Sequence, residues 1–542
     1  MEQKIAAIIA KKYNHSVAVQ LTRPDPKFGD FATNVALQLA KPLGRQPRHI
    51  AEEIAQSLAT EADFSEVSVA GPGFINLRLS DQALLQLTQR TPTTRRAGQQ
   101  VVIETNNPNP FKAMHIGHAF NAIVADTIAN LLATDGAVVH RVSYHGDVGA
   151  HVGKSMWAIL RYLDGDATKL DDIPVAERNT FMSKMYAAGA KAYQEDEAAK
   201  AAITALAAQS FTQDDPLFRR VYEECRRWSF AEIDATMQRI GNVPIERRYL
   251  ESQADAEGVP IVKAHVPEVF TESDGALLFP GSRYGSFDNV FVTSRGQGLY
   301  GARDLGLMVL KNNDFHAEKS YIVTAEEQKD YFKGVIKAAE LCLPELTGVT
   351  VNISTGTVKL STGKMSSRTG EVVTIDWLFD EFSRAITARG GQATPAIVAG
   401  ALRYQFLKVK IGSDVIFDIN EAVSLTGNTG CYLQYAHARA RRIIEKSSQE
   451  SGPLSQILPE DRPLISKLGE YHEVVDAATQ TGEPHHICHY LFELAQVFNR
   501  YYESNQVIGS DHEAHRVAVV ASYADILKAG LTILGITAPH SL

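Results

Sequence analysis

The chain has 542 residues and a formal net charge of −9, with 44% hydrophobic and 22% charged residues. One core rarely grows to that size, so roughly two to four domains are expected, and the mixed composition excludes disordered and fibrous classes. The negative balance excludes a general nucleic-acid coat protein, but not contact with one RNA, which local basic patches decide.

Cys225, Cys342, Cys431 and Cys488 lie far apart and show no zinc-ligand spacing, so idle or buried thiols are expected, with no metal site. No uninterrupted apolar run reaches membrane-spanning length. Met1-Glu2-Gln3-Lys4 lacks the basic-then-apolar order of a secretory signal, so a cytoplasmic protein is expected.

Three blocks follow in order. In residues 1–90, Val35, Leu39, Ile50, Ile54 and Leu58 keep helical spacing, and Val67 to Leu79 alternates like strands. A polar stretch from Thr91 reads as a linker. Residues 100–389 open with a strand at Val101, a Pro- and Asn-rich loop, and a helix through Phe120, Ile123, Val124, Thr127, Ile128 and Leu131. Asp135-Gly136 ends that helix, and Val138 begins the next strand. Tyr321 to Ile353 repeats the strand–helix–strand pattern. This is the unit of a doubly wound parallel sheet, interrupted by an insertion at about 155–291. Residues 390–542 are almost all helix-patterned and predict a bundle.

The loop after the first strand reads Glu104-Thr-Asn-Asn-Pro-Asn109-Pro-Phe-Lys112-Ala-Met-His115-Ile-Gly117-His118. Helix N-termini offer free N–H groups and partial positive charge. Two imidazoles there make a donor array suited to a triphosphate, and Gly117 lets a nucleotide approach the backbone. The site would lie at the carboxyl end of the strand, where such sheets bind ligands. Downstream, Gly363-Lys364-Met365-Ser366-Ser367-Arg368-Thr369-Gly370 carries two cations and three hydroxyls, a chemistry suited to a pyrophosphate leaving group.

His115-Ile-Gly-His118 followed by Lys364-Met-Ser-Ser-Arg368 resembles the two hallmark motifs of class I aminoacyl-tRNA synthetases. The flanks resemble the arginyl branch over nearly the whole chain. Phe28-Gly-Asp-Phe-Ala-Thr-Asn34 with Gly71-Pro-Gly-Phe-Ile-Asn76 is similar to that family's N-terminal tRNA-elbow-binding domain. Gly146-Asp147-x-Gly149 fits the branch too, as does Leu534-Gly-Ile-Thr-Ala-Pro539. Asn428-Thr-Gly-Cys-Tyr432-Leu-Gln-Tyr435-Ala-His-Ala-Arg439 resembles its anticodon-binding bundle. The fold implied is α/β: a Rossmann-like catalytic domain with an insertion, an α+β N-terminal domain and an all-α C-terminal bundle.

The resemblance implies ATP-dependent, Mg²⁺-assisted activation of L-arginine and transfer to the 2′-hydroxyl of the terminal adenosine of tRNA(Arg). It implies no tightly bound cofactor and a monomer. His115, Gly117, His118, Lys364, Met365 and Ser366 would bind ATP. Glu104 and Asn109 would grip the arginine ammonium and carboxylate, Asp304 the guanidinium, with Tyr300 packed on it and Gln328 assisting. A carboxylate accepting two parallel hydrogen bonds is the natural reader of a guanidinium. Ser367 stands where the class usually has a second lysine, and Lys112 or Arg368 would supply that charge. Val148 stands where the family commonly has an aromatic residue. Tyr432, Tyr435 and Arg439, at helical spacing, would stack on anticodon bases and bind phosphate, and Phe74 and Asn76 would touch the tRNA elbow. The alternatives are a class I synthetase for another amino acid and a non-catalytic tRNA-binding paralogue.

Overall fold

The computed structural model describes residues 1–361, 373–449 and 452–541. In the first block, helices α1 (Glu2–Tyr13), α2 (Val35–Leu43) and α3 (Pro47–Leu58) pack on an antiparallel sheet. Its strands are β1 (Phe31–Thr33), β2 (Phe64–Ala70) and β3 (Phe74–Leu79), in the order β1-β3-β2. Ile50, Ile54 and Leu58 face this core, as their four-residue spacing requires. Helix α4 (Asp81–Thr88), capped by the Ser80 hydroxyl, leads out of it.

The second block is built on five parallel strands in the order β11-β10-β4-β5-β6. The chain runs β4 (Gln100–Glu104), α5 (Ile116–Thr134), β5 (Val138–His145), then helices α6 (Ala150–Leu163), α7 (Arg178–Glu195), α8 (Glu197–Thr212) and α9 (Pro216–Arg239). It returns to the sheet as β6 (Arg247–Leu250), continues through α10 (Glu251–Ala264), and makes a small antiparallel sheet of β7 (Thr271–Ser273), β8 (Ala276–Phe279) and β9 (Asn289–Val292). Then come α11 (Tyr300–Phe315), β10 (Lys319–Ala325), α12 (Lys329–Cys342) and β11 (Thr350–Thr355). The interruption predicted as one insertion at about 155–291 is therefore two excursions, separated by β6, which pairs with β5. Strand order reverses around β4, so the crevice of a doubly wound sheet opens at the carboxyl ends of β4, β5 and β10.

The third part begins with β12 (Val358–Leu360), α13 (Ile375–Ala388) and α14 (Pro395–Leu407). It continues with β13 (Val415–Phe417), α15 (Ile419–Ala422), α16 (Gly430–Lys446), α17 (Arg462–Gly469), α18 (Tyr471–Thr481), α19 (His485–Ser504) and α20 (Glu513–Ile533). It is a helical bundle with one departure from the all-helical expectation: β13 leaves the bundle to pair with β12. The stretch after Thr91 is irregular, as a linker should be, but it is held down. Arg95 and Arg96 both pair with Asp135, which is fully buried at the end of α5, and Thr93 bonds Asp476 of α18.

Helix α5 is apolar on more than one face because it lies between the sheet and α14, α18 and α20. By length and composition it meets the criterion for a membrane span, which the sequence reading did not assign to any segment, but it is a buried core helix. Inside it, Asp126 is fully buried and pairs with Arg403 of α14 at 2.9 Å. The Arg403 guanidinium also reaches Thr127 Oγ1, Asn242 Oδ1 and the carbonyls of Ile240 and Leu534. One side chain thus ties α5, α9 and the bundle together. Arg403→Met is expected to lower stability by about 3–5 kcal/mol, because it removes one of two cations from the buried Asp126, leaves Oδ2 unpaired and frees two buried carbonyls; urea unfolding with an unchanged m-value would measure it.

Candidate active site

Beyond Glu104 the chain is laced along the end of β5. Asn107 Oδ1 accepts from the Tyr144 N–H and Asn109 Oδ1 from the Gly146 N–H, both at 2.9 Å. Phe111 then takes φ +65°, a strained conformation for an aromatic residue. Burial against Tyr222, a bond from its N–H to Ser229 and one from Ser155 to its carbonyl hold it there. This turn aims the following residues at the start of α5.

There His118 reaches back to cap the helix start, and its ring stacks on that of His115 with centroids 3.7 Å apart. His118 Nδ1 accepts from the His115 N–H at 3.2 Å, which leaves Nε2 as the protonated, outward nitrogen. Burial pulls both histidines below their usual range, and the Lys112 charge adds to this, so both are neutral at pH 7. Burial likewise lowers Lys112. A Cβ on Gly117 would lie 3.1 Å from His115 Nδ1, so this glycine makes room for the imidazole ring itself. The turn is also stitched to the far side of the second motif: Ile116 N–H bonds Val373 O, and His115 bridges Thr374. On the near side, Ser361 N–H bonds Phe417 O. Lys364, Met365, Ser366, Ser367 and Arg368 lie outside the described residues.

A cavity of about 460 Å³ opens beside the histidines. Glu104, Asn109, His118, Tyr300, Asp304 and Gln328, separated widely in sequence, all line it. Lys112 does not; it faces a smaller cavity with Arg178 and Trp228. Asp304 sits at the end of the first turn of α11 and accepts from the Tyr331 hydroxyl at 2.5 Å. Burial pushes its carboxyl up to about 7; the Glu104 and Glu251 charges push the same way, and Tyr331 and Lys311 oppose. Among the described residues no Lys or Arg pairs with it. Tyr300 is 67% exposed and stands at the mouth; its ring lies 5.9 Å from the Arg303 guanidinium.

The sequence reading missed Glu251, Tyr144, Tyr331 and Glu327, which also line the cavity. Burial raises the Glu251 carboxyl. Arg303 holds it at 2.9 Å, and its neighbour Ser252 is anchored by two bonds to buried Asp147, the aspartate of the Gly146-Asp147-x-Gly149 stretch. The Gly146-Asp147-x-Gly149 stretch was visible in sequence, but not that its aspartate anchors Ser252. Val148, beside it, is buried.

The residues expected to meet RNA divide. Tyr435 is exposed, and Arg439 lies 4.6 Å over the Tyr502 ring. Tyr432, three positions earlier, is turned into the bundle: its hydroxyl accepts from Asn499 and its ring meets Phe492 edge-on. In the first block Phe74 is exposed, whereas Asn76 is buried within β3.

Residues 1–79 match a family described as the arginyl tRNA synthetase N terminal domain. Residues 80–417 match the catalytic domain of tRNA synthetases class I (R), and 433–542 the DALR anticodon binding domain. The chain is 29% identical to an arginine–tRNA ligase of Thermobifida fusca, over 95% of this chain and 94% of that one. It is 28% identical to that of Shewanella oneidensis, over 98% and 96%. Its fold is similar to the arginyl-tRNA synthetase of Thermus thermophilus, with a TM-score of 0.80, 24% identity, and coverage of 100% of this chain and 99% of that one.

Proposed function

The chain belongs to the arginyl-tRNA synthetases of class I and is an ATP-dependent arginine–tRNA ligase, and from that premise we propose how its own residues divide the work. The observation that carries the reading is Asp304: a buried carboxylate without its own cation, facing an otherwise neutralised cavity beside a phosphate-type helix N-terminus. A guanidinium would displace the proton Asp304 holds near neutrality and donate to its carboxylate oxygens. Glu104, Asn109 and Glu251 would orient the amino acid's ammonium and carboxylate. The α5 N–H groups and the outward His118 Nε2–H would hold the ATP phosphates, with Mg²⁺ arriving as part of the nucleotide substrate.

The arginine carboxylate then attacks the α-phosphate in line, and pyrophosphate leaves. Neutral imidazole donors strengthen their bonds as charge builds on the phosphate oxygens, so catalysis is positioning plus charge stabilisation. The arginyl group passes to the 2′-hydroxyl of the terminal adenosine of tRNA(Arg). Lys364 would steady the leaving pyrophosphate, and Lys112 or Arg368 would supply the charge that Ser367 lacks. Tyr435 and Arg439 are the accessible candidates for the anticodon and Phe74 for the elbow; Tyr432 would act by supporting them. A monomer and a cytoplasmic location are part of the same proposal.

ATP–pyrophosphate exchange with arginine and tRNA(Arg) tests the reading. Exchange that requires arginine is expected. No exchange, or better exchange with another amino acid, overturns it.

A further inference from the structure

Two turns beyond Asp304 on the same face of α11 lies Lys311. Its side chain is 1% exposed, and its ammonium meets Glu104 Oε1 at 2.6 Å, with Glu104 itself 2% exposed. A buried ion pair is a poor way to stabilise a fold, since two apolar side chains of that size serve as well or better. Lys311 does not line the cavity, yet it holds a residue that does. Glu104 Oε2 accepts from Asn107 at 2.7 Å, so the carboxylate is fixed from both sides and shows one edge to the cavity.

The charges around this point can be counted by element. Strand β4 brings Glu104, and α10 brings Glu251, which Arg303 of α11 neutralises. From β5 comes the Tyr144 phenol and from α12 that of Tyr331, and Glu327 stands at the exposed rim. The Glu104 charge raises the Asp304 carboxyl and the Lys311 ammonium lowers it, so without Lys311 the push from Glu104 would stand unopposed.

We propose that Lys311 is a positioning residue for arginine recognition: it pins Glu104 with one edge toward the cavity and offsets its charge beside Asp304, which leaves Asp304 as the open carboxylate for a guanidinium. This rests on the assignment of the cavity to arginine. A lysine suits the task because a point ammonium takes one oxygen and leaves the other to Asn107.

The test is the KM for arginine in tRNA-dependent pyrophosphate exchange, followed from pH 6 to pH 9, with the KM for ATP alongside. In the unaltered chain the arginine KM should fall as pH rises through about 7, where Asp304 loses its proton. In Lys311→Met that inflection should move up by about one unit or more, which raises the KM roughly tenfold at pH 7 and lets it recover at pH 9. The ATP KM should hold in Lys311→Met. Should Lys311→Met fail to fold, Glu104→Gln/Lys311→Met removes both charges, and its inflection should return to the unaltered position. A pH-independent loss, an ATP KM that rises in step, or an inflection left displaced in the double variant overturns the role. Arginine-independent exchange in the unaltered chain would instead sink the cavity assignment, and this inference with it.

Discussion

Asp304→Asn should raise the KM for arginine by about 10³-fold while the protein remains at least as stable as before. The amide is the same size but turns two acceptors into an acceptor and a donor, and its N–H₂ then meets the donor fork of the guanidinium. Truncating one partner of a buried, hydrogen-bonded charge pair costs roughly 2–5 kcal/mol in binding. Stability moves the other way. The carboxyl is held up at about 7, so its ionised form is disfavoured by the fold. The sign follows: a carboxyl whose folded pKa is raised costs stability as pH climbs from the unfolded value toward 7, and above that the whole penalty is present. A neutral Asn removes it. Arginine KM and thermal midpoint measured on one preparation at pH 8 decide the matter. A midpoint that falls together with a small rise in KM would make Asp304 a structural residue.

His118→Ala should lower kcat by about 10²–10³-fold, the usual effect of losing one donor to a developing oxyanion. The difficulty is that His118 also caps α5 by accepting from the His115 N–H, and losing a cap alone costs about 0.5–2 kcal/mol of stability. His118→Gln separates the two, since Gln at the third helical position can reach back to the same N–H. It should restore the thermal midpoint but leave kcat low. Recovery of turnover with the cap would show that the histidine acts only by shaping the helix start. His115→Ala and the double variant should lie close to His118→Ala, because stacked residues acting as a unit do not add.

What could be read in the residues alone follows the range of the contacts. The His115–His118 turn was legible because everything that makes it, a strand end, a loop and a helix start, lies within one short stretch. Glu251 was not. It reaches the cavity because β6 rejoins the sheet, and Arg-Arg-Tyr-Leu has no apolar run to mark it as a strand. Tyr144 and Tyr331 arrive from β5 and α12 in the same non-local way. Tyr432 and Tyr435 share helical spacing, yet three residues of a helix span enough rotation that one meets α19 and the other solvent. Glu104 was expected to grip the amino acid, and nothing in the sequence marks its two internal partners: the fold gives one oxygen to Lys311 and a bond on the other to Asn107.

The Asp126–Arg403 knot has a consequence for how the protein is made. A ribosome adds roughly 5–20 residues per second, and domains are usually finished in the order in which they emerge. Here Asp126 precedes Arg403 by 277 residues, and Leu534, whose carbonyl completes the guanidinium's set, follows it by another 131. The helix bearing the histidines therefore spends on the order of a quarter to one minute of synthesis without that partner. Arg141, only 15 residues from Asp126, is the one cation of the pair set that emerges with it. Completion of this knot thus waits for the last helices, because Leu534 lies within ten residues of the end of the 542-residue sequence.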